Sequence, residues 1–324
     1  MRYVIYGAGA VGGAIGGMLH HAGREVTLIA RGAHLAAIRA HRLRLRTPSD
    51  DLRVDIPACA TPVEARIGAG DVVLLAMKSQ DTLAALEDLR AAAGSGVPVV
   101  CAQNGVANER MAARRFERVY GMMVQLPATY LDPGEIVLED SPTLGVLDTG
   151  RYPDGVDEVV EALCADLEAG GFVAARDPAI MRQKYAKLVR NLGNAVTLLT
   201  GAAAAPPVNR ALVAEADLVY RAAGIDCATA EEHAARVALC DIVWEAPGVS
   251  RAGNSTMQSV LRGSTSLETD YLNGEITALG ARFGVPTPVN RVVQDLSAEF
   301  ARTGRAPGSM TADEVLALAA SRTR

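Results

Sequence analysis

Apolar residues follow two rhythms along this chain, and the change between them divides it. From residue 1 to about 125, short unbroken apolar runs alternate with helical patterns. The runs are Arg2–Tyr6, Val26–Ala30, Val72–Met77, Val97–Ala102 and Val119–Gln125. Unbroken runs, rather than every-second-residue ones, suit strands covered on both faces. Stretches with helical spacing, such as Gly13–Ala22 and Thr82–Ala93, separate them. That order predicts an α/β fold built on a parallel, doubly wound sheet.

Between about 126 and 178 the pattern changes. Pro127, Pro133, Pro142 and Pro153 punctuate short runs at Glu135–Leu138 and Thr143–Val146. These predict further strands, antiparallel, that finish the sheet. A helix near Val156–Ala169 and a last strand near Phe172–Ala174 follow. Beyond Pro178 the strand patterns fade. Alanine- and leucine-rich helical spacing runs over about 180–200, 209–223, 230–244, 255–283 and 289–303. The expected domains are therefore 1–178, holding the sheet, and 179–324, all helical. From near Arg302 the reading is a loosely held tail with one short helix.

Composition narrows the class. The 324 residues suffice for two cores. Net charge is −5 and the isoelectric point about 5.6, so no basic face is implied. Nucleic acid and anionic membrane are not expected partners. The five cysteines, Cys59, Cys101, Cys164, Cys227 and Cys240, are scattered and never in a CxxC pair. That argues against a disulfide framework and for a reducing, cytoplasmic setting. No histidine stands in an HExxH spacing, so no metal is expected. Glycines at 7, 9, 12, 13, 16 and 17 break the apolar N-terminus, which argues against a signal peptide.

The first chemical signal is Gly7-Ala8-Gly9-Ala10-Val11-Gly12, a GxGxxG directly after a strand and at the start of a helix. That context makes it a Rossmann-type dinucleotide motif. Gly7 permits the tight turn, Gly9 admits a pyrophosphate, and Gly12 lets helix and strand approach. The amides at the helix start then face the phosphates. The second strand ends in Ala30-Arg31, without the acid an NAD ribose would need. A guanidinium there suits a 2′-phosphate, so NADP(H) is the expected cofactor.

Lys78 and Gln103-Asn104-Gly105 follow two later apolar runs, at strand ends where ligands collect. Lys187, Asn191 and Asn194 are spaced i, i+4, i+7 and would share one helix face. By spacing alone that trio reads equally as a solvated stripe. The carboxylates of Glu268-Thr269-Asp270-Tyr271-Leu272-Asn273-Gly274-Glu275 read equally as helix-surface charges, with Asn273-Gly274 kept inside a helix.

GAGAVG, Lys78, the Gln103–Gly105 turn, KLVRN at Lys187–Asn191 and ETDYLNG at Glu268–Gly274 stand in the order and approximate spacing of the ketopantoate reductase (2-dehydropantoate 2-reductase) family. The resemblance spans nearly the whole chain. It implies an N-terminal Rossmann domain, a helical C-terminal domain, a cofactor between them, and reduction of a 2-oxo acid by NADPH. It assigns Lys187 as proton donor and Glu268 as the acid near that lysine and the cofactor. Lys78, Asn104 and Ala128 become cofactor contacts, and Asn191 a substrate ligand. Asn194, Ser255 and Thr256 are further candidates for the substrate. The partner is a small-molecule 2-oxo acid, taken by a monomer or a homodimer.

Three positions depart from the family pattern. The asparagine eight residues after the lysine is Ala195 here, with Asn194 one earlier. A third asparagine falls in Ala202–Ala205, and the Ser-Met pair reads Thr256-Met257 after Ser255. A paralogue reducing a different 2-oxo acid is thus an alternative to ketopantoate reduction in pantothenate synthesis. A non-catalytic NADPH sensor is a third, which Lys187 and Glu268 disfavour.

Overall fold

The computed structural model describes residues 1–240, 253–261, 263–264 and 266–322. The first part runs β1 (Arg2–Tyr6), α1 (Ala10–His21), β2 (Val26–Ile29), α2 (Gly32–His41), β3 (Leu43–Arg46), β4 (Asp51–Val54), β5 (Ala58–Cys59), α3 (Pro62–Ala65), β6 (Asp71–Leu75), α4 (Thr82–Ala93), β7 (Val99–Cys101), α5 (Ala107–Ala113) and β8 (Val119–Gln125). It continues with β9 (Ala128–Thr129), β10 (Glu135–Leu138), β11 (Val146–Arg151) and α6 (Glu158–Ala169). Helices follow: α7 (Ile180–Asn191), α8 (Gly193–Thr200), α9 (Pro206–Ala223), α10 (Ala230–Val237), α11 (Ser255–Leu261), α12 (Asn273–Phe283), α13 (Pro288–Thr303) and α14 (Ala312–Ser321).

The main sheet has the order β11-β8-β7-β6-β1-β2-β5. All neighbours are parallel except β11, which runs antiparallel to β8. The chain winds outward from β1 through β2 to β5, then returns to β6 and winds the other way. The strand order therefore switches direction between β1 and β6, where open α/β sheets bind ligands. The five apolar runs all became strands of this sheet.

The later strands differ from the expectation. Glu135–Leu138 does not extend the main sheet; it joins a second, four-stranded sheet ordered β4-β3-β10-β9. Its β3–β4 pair, Leu43–Arg46 against Asp51–Val54, was not anticipated. The run expected at Thr143–Val146 begins at Val146 and continues to Arg151, because Pro142 and Gly145 (φ 149°) precede it. Phe172–Ala174 forms only isolated bridging beside β11.

Helix α1 lies between the two sheets, and its glycines explain how. A Cβ at Gly16 would stand 2.6 Å from Leu28 and 2.8 Å from Ile5 of the main sheet. One at Gly17 would stand 2.6 Å from Leu45 and 3.0 Å from Leu43 of the small one. Gly12 and Gly13 repeat this one turn earlier, against Ile5 and Ile136. Glycine at i and i+4 on both faces brings each sheet onto the helix backbone.

By contacts, the described residues form two compact units. One holds Met1–Asn104, Asn108–Lys184 and the segment starting at Thr229; the other holds Gly105–Ala107, Tyr185–Ala228 and the described residues from Gly253 on. The division falls inside α7. α10 groups with the first unit, where the Arg236 guanidinium donates to Asp148 at 2.6 and 2.7 Å. The helix expected over 230–244 stops at Val237, and residues 241–244 lie outside the described ones.

In the second unit the helix expected over 255–283 is interrupted. α11 ends at Leu261, and beyond it Gly263 (φ 74°) N donates to Val260 O and Ser264 N to Ser259 O. A 3₁₀ turn, Glu268–Tyr271, precedes α12, which begins at Asn273. The C-terminal tail is not loosely held. Gly308 N and Met310 N donate to Leu198 O and Leu199 O, and Val315 and Ala319 of α14 are buried.

The start of α13 depends on one buried carboxylate. Glu215 of α9 accepts from Val289 N (2.8 Å), Asn290 N (2.9 Å) and Asn290 Nδ2 (2.7 Å). Those amides have no partner within their own helix, and Thr287 does not cap it. Glu215→Ala strands three buried donors, so urea unfolding is expected to show a loss of about 3 kcal/mol. A change below about 1 kcal/mol would contradict this capping role.

Candidate active site

The turn from β1 to α1 is held from below. Gly7 and Ala8 both donate to Ile29 O, at 3.1 and 3.2 Å. Gly7 has φ 101°, and a Cβ there would lie 2.6 Å from Met77 N. A Cβ at Gly12 would overlap Gly7 O and crowd Ala76 and Ile5 at 2.9 Å. Around Gly9 nothing among the described residues lies within 4 Å of the Cβ position. Gly9 caps α1 without a side chain, no acid stands in the first turn, and the first helical bond is Gly13 N to Gly9 O. The turn thus offers Ala10, Val11 and Gly12 amides beside open space, a cradle for an anion.

His34, which sequence reasoning missed, braces this turn from α2. Its Nε2 lies 2.7 Å from Ala8 O, and its Nδ1 accepts from Gly134 N at 2.9 Å. Its ring packs 4.5 Å from Tyr130. A carbonyl on one side and an N–H on the other require the neutral ring protonated on Nε2. Burial lowers its pKa below 6.5, against the pull of the Ala8 carbonyl. The unfolded chain therefore takes up a proton near pH 6.5 while the folded one resists. His34 contributes stability above that pH, and the contribution is lost as pH falls through the folded pKa. Thermal unfolding should show Tm dropping more between pH 7.5 and 5.5 for the wild type than for His34→Gln; equal slopes would sink this account.

Arg31 caps α2 and is almost wholly exposed, with its guanidinium 3.2 Å from the Asp81 carboxylate. So exposed a pair holds the arginine only weakly. Lys78 precedes the 3₁₀ turn Ser79–Asp81 beyond β6. Asn104 follows β7, and its carbonyl accepts from Asn108 Nδ2 at 3.1 Å. Buried Gln103 ties the two strand ends, donating to Met77 O (2.9 Å) and Thr82 Oγ1 (2.8 Å). The first unit thus brings Lys78 and Asn104 onto neighbouring, hydrogen-bonded turns. Ala128 stands apart from them in β9 of the small sheet, opposite Leu138.

In the second unit, Lys187 and Asn191 lie one turn apart on α7, but Asn194 does not share that helix. α7 ends at Asn191 and α8 starts at Gly193. Side-chain amides compete at the break: Asn273 Nδ2 donates to Leu192 O (3.3 Å), and Asn254 Nδ2 to Asn194 O (3.0 Å). A Cβ at Gly193 would lie 2.8 Å from Asn209 Oδ1. Lys187 is half-buried. Asn191 is buried, and its Nδ2 has no hydrogen-bond partner among the described residues. Asn254 Oδ1 accepts from Thr256 N and Met257 N, both at 3.1 Å, which caps α11 and sets Ser255 and Thr256 beside Asn194. Glu268 opens the 3₁₀ turn before α12.

Among the described residues no group of three or more His, Cys, Asp or Glu could hold a metal, and no helix is long and apolar enough to cross a membrane.

Two family models match: "Ketopantoate reductase PanE/ApbA" over residues 3–150 and its C-terminal counterpart over 179–301. Among curated relatives, 2-dehydropantoate 2-reductase of Pyrococcus abyssi is 27% identical over 91% of this chain and 96% of its own. That of Archaeoglobus fulgidus is 29% identical, with 91% and 96% covered. The crystal structure of a PanE/ApbA family ketopantoate reductase from Ralstonia eutropha JMP134 is 31% identical, with TM-score 0.77, over 94% of this chain and 99% of that one. A D-mandelate dehydrogenase solved with NADH and anilino(oxo)acetate has TM-score 0.78 over 94% and 99%, but at 23% identity this likeness shows the fold alone. The glycine turn, the two strand-end turns, the helical second unit and these matches agree: the chain belongs to the ketopantoate reductase family of oxidoreductases.

Proposed function

We propose that this protein reduces 2-dehydropantoate to pantoate with NADPH. The single observation that supports it most is the open, uncapped helix start at Gly9 in the first unit, in a chain that carries the Lys187–Asn191 and Glu268–Gly274 motifs in the second. The first-turn amides of α1 would take the pyrophosphate, and Arg31 at the start of α2 the 2′-phosphate. Bound NADPH supplies a hydride. Lys187 stabilises the charge that grows on the substrate's carbonyl oxygen and delivers a proton to it. Asn191, whose amide has no partner among the described residues, orients the substrate. Asn194, Ser255 and Thr256 are the remaining candidates for its polar groups, and Glu268 is the acid assigned to the lysine.

A second reading rests on Ala195 and Ala202–Ala205, which lack amides the family pattern places there. A pocket with fewer polar anchors would accept a less polar 2-oxo acid. The test follows NADPH absorbance across a panel of 2-oxo acids that includes ketopantoate, with NADH in parallel. Highest kcat/KM with ketopantoate and NADPH is expected, and Arg31→Ala should erase most of the preference for NADPH. A better substrate elsewhere in the panel supports the second reading; no turnover with any overturns both.

A further inference from the structure

A buried cation that the proposed chemistry does not use lies at the end of β7, beside the middle of β8. Lys184 of α7 points its ammonium at three backbone carbonyls: Gln103 O at 2.9 Å, Met122 O at 3.1 Å and Cys101 O at 3.3 Å. Glu109 Oε1 of α5 stands 2.7 Å away, and the two side chains are 2% and 0% exposed. Glu109 Oε2 has no hydrogen-bond partner among the described residues. Gly121 of β8 makes the room: a Cβ there would lie 3.2 Å from Lys184 Cδ and 3.5 Å from Glu109 Oε1.

Three carbonyls and a carboxylate in the interior need a donor and a positive charge, and Lys184 supplies both. What it holds is specific. Gln103, whose carbonyl it grips, clamps Met77 and Thr82 through its side chain. Asn108, next to Glu109, donates to Asn104 O and Ser79 Oγ and accepts from Thr82 Oγ1. The network therefore ends on the two turns that carry Lys78 and Asn104. Both lie on the β6–β7 side of the strand-order switch, across from the glycine turn, where the second half of a dinucleotide falls.

We infer that Lys184, paired with Glu109, is a positioning residue that sets the Lys78 and Asn104 turns for the nicotinamide half of the cofactor. This rests on the nucleotide reading above. The test is calorimetric titration of the full-length protein with NADPH and, separately, with 2′,5′-ADP, the fragment lacking the nicotinamide half. Lys184→Met should weaken NADPH about tenfold or more, the scale of a small misplacement, and leave 2′,5′-ADP within about twofold. KM for NADPH should rise accordingly, with kcat at saturation much less changed. Glu109→Gln keeps the side chain's size, serves if Lys184→Met does not fold, and should show the same selective loss. Equal weakening of both ligands, or of neither, overturns the inference. A wild type that binds neither overturns the nucleotide reading with it.

Discussion

Lys187→Ala is expected to lower kcat by about a hundredfold or more, the range set by loss of a general acid. The expectation rests on a lysine that is half-buried, one turn before a buried asparagine whose amide has no partner among the described residues. Hydride transfer to a carbonyl leaves a full negative charge on oxygen, and a fixed ammonium is worth more against that charge than water is. The group acts where charge develops, so its loss should appear in kcat more than in the affinity for NADPH. Stopped-flow turnover beside a cofactor titration separates these. Turnover within a few-fold of wild type would remove Lys187 from the role. The contrast with Lys184, one turn earlier on α7, is informative: two lysines of one helix should fail in opposite parameters.

The glycine turn yields the second large effect, and it separates folding from binding. Gly9→Ala should leave Tm nearly unchanged, because the backbone there (φ −71°) suits any residue and nothing lies near the added methyl. It should nonetheless weaken NADPH by about a hundredfold or more, since the methyl occupies the approach to the helix-start amides and displaces the ligand from them. Gly12→Ala should do the reverse of that order. Its methyl overlaps Gly7 O and crowds Ile5 and Ala76, so stability falls first, by about 1–3 kcal/mol as is typical of overpacking, and binding falls with it. Differential scanning calorimetry with NADPH titration reads both. Unchanged binding by Gly9→Ala would show that no phosphate approaches this turn.

The strands of the main sheet were legible because burial on both faces leaves an unbroken apolar run that few other structures produce. The second sheet was not. Leu43 and Leu45 alternate with Arg44 and Arg46 over only four residues, and β10 meets β3 across 91 positions from Arg44 to Glu135, so no local window contains the pattern. The helix break at Leu192 was hidden for a related reason. Spacing continues through it, while the asparagines that capture the carbonyls come from distant segments.

By itself, the sequence determined the glycine turn, five of the six parallel strands, the helical second half and the family, since each is written in neighbouring residues or in motifs of set spacing. Tertiary structure alone decided that α1 is packed on both faces, that His34 braces the turn and that Lys184 is buried against Glu109. A lysine on a helix and a glutamate 75 residues earlier give no local sign of pairing. Only the fold brings them together, and only exclusion of water makes the pair matter.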